Sequence, residues 1–150
     1  MPLNIVLIEP EIPNNTGNIG RLSLGADARL HLVKPFGFEI DDARLKRAGL
    51  DYWQHLEVKY YENIAAFFKE NIDKKMVFLS SHGNQTHYEI PFEDELFLVF
   101  GKESVGLDKT IIAQNRDNVY KIPLMNEHVR SLNLANAVAI VAYEGMRQMT

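Results

Sequence analysis

Short apolar runs alternate with helix-spaced apolar stripes along most of the chain. Asn4-Ile5-Val6-Leu7-Ile8 is a β-branched run closed by Pro10, and Arg29-Leu30-His31-Leu32-Val33 is another closed by Lys34-Pro35, so both read as strands. Between them Ile19, Leu22 and Ala26 recur at helical spacing after the turn formers Asn14, Asn15 and Gly17. Strand, loop, helix and strand in that order make a βαβ unit. Residues 41–50 predict a second helix with Asp42 near its start, and Ile64, Ala65, Phe67 and Phe68 mark a third. Strands return at Met76-Val77-Phe78-Leu79 and Leu96-Phe97-Leu98-Val99-Phe100, each followed by a polar or Gly-bearing loop. A short helix around 109–114 precedes Val119-Tyr120-Lys121-Ile122, a last strand stopped by Pro123. The chain closes with a helix from Leu134 to Met149, whose stripe is Leu134, Ala137, Val138, Val141 and Ala142, with Asn133 or Ser131 as its cap.

Strands alternating with helices predict an α/β fold: a mostly parallel sheet with helices on both faces, and ligands beyond the carboxyl ends of the strands. No internal repeat, low-complexity tract or linker interrupts residues 1–150, which read as one domain. At 46% apolar composition a chain of this size buries a sizeable core without staples. The absence of cysteine rules out disulfides and thiolate metal sites, and the five histidines are scattered rather than set at ligand spacing. The start, MPLNIVLIEPEIPNN, has no basic segment and breaks at Pro10, and no stretch approaches a membrane span. A cytoplasmic, metal-free protein is the simplest account.

A formal charge of −4 argues against nucleic acid as a partner, because a polyanion is normally met by a basic surface. The distribution changes that picture. Residues 51–100 hold nine acids against four bases, whereas the two outer thirds are close to balanced and leave room for local positive patches.

Three segments carry candidate chemistry. Ile12-Pro13-Asn14-Asn15-Thr16-Gly17-Asn18-Ile19-Gly20-Arg21-Leu22 runs from a strand end into a helix. It reads either as a loop and cap, or as a site where Gly17 and Gly20 admit close backbone approach and Arg21 grips a phosphate or ribose. Phe100-Gly101-Lys102-Glu103-Ser104-Val105-Gly106-Leu107 follows a buried strand and matches neither the P-loop nor the dinucleotide fingerprint. Val129-Arg130-Ser131-Leu132-Asn133-Leu134-Ala135-Asn136-Ala137 leads into the terminal helix, where a cap and a ligand contact can coexist.

Taken together, in order and wording, Asn18-Ile19-Gly20-Arg21, Gly101-Lys102-Glu103-Ser104-Val105-Gly106-Leu107 and Ser131-Leu132-Asn133-Leu134-Ala135-Asn136-Ala137 resemble the three motifs of the SPOUT methyltransferases. Glu9-Pro10-Glu11-Ile12-Pro13, Asn15-Thr16-Gly17-Asn18, Arg47-Ala48-Gly49-Leu50-Asp51-Tyr52 and the Glu144, Arg147, Gln148 pattern are similar to the minimal single-domain branch that methylates tRNA position 34. That resemblance implies a C-terminal deep trefoil knot, a homodimer whose active site draws on both subunits, and a bent S-adenosyl-L-methionine held by the knotted loops. It implies cofactor contacts at Leu79, Gly101, Ile122 and Ser131, with Ser80, Glu103 and Leu132 nearby. It makes Arg21 the catalytic arginine of ribose 2′-O-methylation, with Asn133 beside it.

An arginine rarely gives up a proton, so stabilising the forming alkoxide suits Arg21 better than acting as a base. Asn133 and Ser131 would orient the ribose and the cofactor's carboxyl end, while Glu103 would meet either substrate or loop backbone. Asn18, Arg44, Arg47 and His82 are candidate substrate contacts. Tyr52 and Trp53 read equally as base-stacking groups or as a core anchor. Glu93, Asp94 and Glu95 read as a solvated acidic turn. The tRNA anticodon stem-loop is the expected partner, with no membrane and no DNA. Ribosomal RNA is the alternative methylation target, and a non-catalytic nucleotide- or RNA-binding module is the alternative of a different class. An ordinary Rossmann enzyme is disfavoured by the missing glycine fingerprint.

Overall fold

A computed structural model describes residues 2–38 and 51–150. The helix expected over 41–50, with Arg44, Lys46 and Arg47, lies outside the described residues.

Among the described residues seven strands form one sheet: β1 (Asn4–Ile8), β2 (Arg29–Val33), β3 (Val58–Tyr61), β4 (Met76–Leu79), β5 (Gln85–Thr86), β6 (Phe97–Phe100) and β7 (Val119–Lys121). Their spatial order is β3-β2-β1-β6-β4-β7-β5, and every pairing is parallel. The expected mostly parallel sheet is therefore found. β1, buried at all five positions, pairs with β2 from Asn4 opposite Arg29 and with β6 from Asn4 opposite Phe97. Such continuous burial is what a parallel strand covered on both faces requires.

The α-helices among the described residues are α1 (Pro13–Gly25), α2 (Ile64–Glu70), α3 (Lys109–Gln114) and α4 (Leu134–Met149). On one face α1 and α4 close a core of Ile5, Leu7, Ile19, Leu30, Leu98, Val138 and Val141. On the other, α2 and α3 close a core of Val6, Val33, Phe67, Phe78, Val99 and Ile112. Alternate residues of β1 and β6 feed the two cores, as the two-residue period of a strand demands. Within α4 the buried positions are Ala135, Val138, Val141, Ala142 and Gly145, so Leu134 and Ala137 sit at the flank of the stripe rather than its centre.

One expectation changes in kind. Asn14, Asn15 and Gly17 are not a loop, because the helix begins at Pro13, where a fixed φ and a missing N–H suit the first turn. The close approach at Gly20 is also internal: a Cβ there would lie 2.4 Å from the Trp53 ring. Trp53 is a buried core anchor, and the Tyr52 hydroxyl donates to the Gly17 carbonyl at 2.6 Å. The base-stacking alternative for this aromatic pair is not what the fold uses.

The acidic turn is less free than expected. Glu95 pairs with Arg29, and Glu93 with Lys75 at 3.0 Å. No described helix is long and apolar enough to cross a membrane.

Candidate active site

The loops leaving β4, β6 and β7 converge at the carboxyl end of the sheet around a cavity of about 290 Å³. Leu79, Gly101, Glu103, Ile122, Ser131 and Leu132, the six residues expected at a cofactor, all line it, as do Ser80 and His82. Leu124, Leu134 and Ala137 add apolar wall, and Lys102 and Arg130 add charge. Lys102 is paired with Glu9 at 3.0 Å. Sequence reasoning passed over Arg130, although it stands beside Ser131 in the third motif.

The β6 loop owes its shape to Gly101. A Cβ there would lie 2.1 Å from the Gly106 carbonyl carbon, so the loop can fold back against the strand end only with glycine at this position. Gly106 completes the turn at φ 69°, and its N–H donates to the Lys102 carbonyl at 2.9 Å.

Glu103 lines the cavity, but its carboxylate faces the start of α1. It accepts from the Glu11 N–H at 2.8 Å, the Ile12 N–H at 2.9 Å and the Asn15 Nδ2 at 3.2 Å. Ile12, the N-cap of α1, has no side chain to satisfy the helix start, and the carboxylate from the neighbouring loop does so instead. Of the two contacts proposed for Glu103, the loop backbone is the one made.

Asn133 is the N-cap of α4. Its Oδ1 accepts from the Ala135 and Asn136 N–H groups at 2.9 and 3.3 Å, and its Nδ2 donates to Asn15 Oδ1 at 3.1 Å. One Nδ2 hydrogen is left for a ligand. Asn15 therefore joins the three motifs, receiving from the third and donating to the second. The motif wording includes Asn15, but the bridging role is not legible in the sequence, since an asparagine two residues after a proline reads as a turn former.

Asn18 and Arg21 stand one helical turn apart on α1, both exposed, and neither lines the cavity of its own chain. Arg21 acts electrostatically on Tyr52, favouring its ionised form against the stronger effect of burial. The structure thus gathers the expected cofactor residues at one cavity and leaves the expected catalytic arginine on the exposed side of α1, outside that cavity.

With this geometry in view, the likenesses to known proteins fall into line. The profile of the SpoU rRNA Methylase family matches residues 2–143. The tRNA (cytidine(34)-2'-O)-methyltransferase of Saccharophagus degradans is 45% identical over 147 residues, spanning 97% of this chain and 95% of that protein. A solved structure from work on the 2-OH methylation of C/U34 on tRNA is 40% identical with a TM-score of 0.90, covering 98% of this chain and 95% of the other. A SpoU methyltransferase from Streptomyces viridochromogenes in complex with AdoMet shares the fold at 22% identity and a TM-score of 0.86, covering 99% of this chain and 58% of the other. The chain belongs to the SpoU methylase family.

Proposed function

We propose that this protein transfers a methyl group from S-adenosyl-L-methionine to the ribose 2′-hydroxyl of the wobble nucleotide, position 34, in tRNA. The observation that carries this reading is the gathering of six expected cofactor residues around one cavity, next to the helix that bears Arg21. The full-length relatives named for cytidine 34 support the choice of substrate.

The cavity fits the cofactor chemically. Its volume is near the lower end of small-ligand clefts, about 300 Å³. Leu79, Ile122, Leu124 and Leu132 offer apolar faces to an adenine, and Ser80 and Ser131 offer hydroxyls to the ribose and the amino-acid end. When bound, the sulfonium supplies an electrophilic methyl group. The chain's own task is to align and activate a weak hydroxyl nucleophile. Arg21, permanently cationic, holds the nucleotide phosphate and stabilises the developing alkoxide. Asn133 acts chiefly by fixing the start of α4 and bridging to Asn15, with one Nδ2 hydrogen free for the ribose.

The reading takes residues 1–150 as one catalytic domain, working in the cytoplasm, whose terminal helix completes a trefoil knot. It also takes the working unit as a homodimer. Arg21 lies outside the cavity of its own chain, and Ile12, Ile140 and Tyr143 expose apolar surface on α1 and α4. A second copy seated there would bring the two halves of the site together around an anticodon stem-loop. His82 at the rim, with Asn18, Arg44 and Arg47, completes the proposed RNA contacts.

The test is methyl transfer by the purified protein to total tRNA, with mass-spectrometric mapping of the modified nucleoside. A 2′-O-methyl group at position 34 is expected; methylation confined to ribosomal RNA would replace the substrate assignment. Arg21→Ala should lower turnover by about 100-fold or more while cofactor binding, measured by calorimetry, persists. Retained turnover in that variant removes Arg21 from the chemistry.

A further inference from the structure

The segment between β1 and α1 carries two glutamates that the catalytic reading leaves unused. The backbone turns sharply at Glu9, which has φ 53°, a left-handed conformation that costs a non-glycine residue energy and persists only when its surroundings hold it. Here the Glu9 carboxylate is held by Lys102 at 3.0 Å. The turn delivers Glu11 to the β6 loop, where its Oε1 accepts from the Ser104 N–H at 2.8 Å. The bond is answered in the opposite direction. Glu103, immediately before Ser104, accepts from the Glu11 N–H at 2.8 Å and the Ile12 N–H at 2.9 Å. Each segment thus presents a carboxylate to the other's main chain.

On one side of this clasp is the cavity wall, since Lys102, Glu103 and Ser104 all line the cavity. On the other is the first turn of α1, whose rigid continuation carries Asn18 and Arg21. Charge-assisted bonds to backbone N–H groups are short and directional, so the reciprocal pair fixes distance and angle between cavity and helix better than a single contact would.

We infer that Glu11 is a positioning residue for methyl transfer: by gripping Ser104 it fixes α1 against the cofactor loop of the same subunit, so that Arg21 is presented at a set distance and angle to the partner subunit's cavity in the proposed dimer. This rests on the methyltransferase reading above. Glu11 touches neither substrate nor cofactor and acts only through the clasp. Its bond to Ser104 also holds the carboxyl below the usual carboxylate range, so the clasp is charged at neutral pH. The need is geometric, because a reacting group displaced by about 1 Å can lose about 100-fold in rate.

The experiment compares wild type, Glu11→Ala and Glu11→Gln in the tRNA assay, alongside S-adenosylmethionine affinity and thermal midpoint. Glu11→Ala should lower kcat by about 10-fold, with cofactor affinity within about 3-fold and an unchanged melting midpoint, because the Glu103 half of the clasp still holds the loop. Glu11→Gln keeps an oxygen for the Ser104 N–H and should recover most of kcat. The inference is overturned by an unchanged kcat in Glu11→Ala. It is overturned equally by kcat, affinity and midpoint falling together, or by Glu11→Gln failing to recover. Wild-type transfer is scored first on the same tRNA. Its absence would count against the substrate assignment, and exchange protection of the Ser104 amide in wild type and Glu11→Ala would then test the clasp: equal protection in both sinks it.

Discussion

Two polar networks cross this molecule, and they are built on opposite principles. The first threads the core. The Asn4 Nδ2 donates to the Glu95 carbonyl at 3.0 Å, which leaves Asn4 Oδ1 to accept from His31 Nε2 at 2.9 Å. His31 Nδ1 must then accept from the Tyr61 hydroxyl at 2.9 Å, and that oxygen accepts from Asn71 Nδ2 at 3.3 Å. Every member is buried and neutral, and a single direction of donation satisfies the chain. The second network runs from Asn133 through Asn15 and Glu103 to Glu11 and Ser104. It is half exposed, contains two carboxylates and ties together loops rather than strands. The contrast separates two uses of polarity: one specifies how β1, β2 and β3 align, the other specifies where a reacting group stands. Changes to the first should be read in stability, and changes to the second in turnover.

The largest effect expected from that division is at His31. His31→Ala removes a buried ring and strands Asn4 Oδ1 and the Tyr61 hydroxyl, costing about 4 kcal/mol in denaturant unfolding, with turnover of the folded fraction unchanged. A collapse of turnover without a loss of stability would erase the distinction. Next is pH. Burial, aided by the charges of Lys59 and Arg29, lowers the His31 pKa from 6.5 to about 4. Between those values the unfolded chain binds a proton that the folded chain refuses, so stability falls as the pH drops through that window and is flat above it. About 3 kcal/mol should be lost over the window, and the His31→Ala variant should lack this component. The smallest stability effect belongs to the site. Asn133→Asp retains an N-cap of equal quality but sets a carboxylate oxygen against Asn15 Oδ1. The unfolding midpoint should hardly move while turnover falls, whereas Asn133→Ala should lose about 1 kcal/mol as well.

Most of the scaffold was legible because β1, β4 and β6 are largely apolar runs between turn formers, β2 is a short run of Leu and Val closed by Lys34-Pro35, and α4 has a regular stripe. The parts that were not legible have physical reasons. β3, Val58-Lys59-Tyr60-Tyr61, is an edge strand with exposed middle positions, so no apolar run announces it. β5 is two residues long and owes its existence to β7 rather than to its own propensity. α1 was read as starting late, since Asn14, Asn15 and Gly17 are poor helix formers. Tertiary burial of Asn15, Thr16 and Gly17 overrides that propensity. At the site, motif wording located the cavity residues. The clasp was hidden because it joins residues more than 90 positions apart, and hydrogen bonds between loops leave no periodic trace.

The position of β1 between β2 and β6 bears on how the protein is made. β1 gains its β2 neighbour once residue 33 has been synthesised, but its other edge stays unpaired until β6 ends at residue 100. At about 5–20 residues per second, the ribosome leaves one edge of a largely apolar strand open for roughly 3–13 s. An unpaired edge is a template for the wrong partner. A strand apolar at four of its five positions is thus the last of the early elements to be sheltered, and a wrong pairing has that interval in which to form.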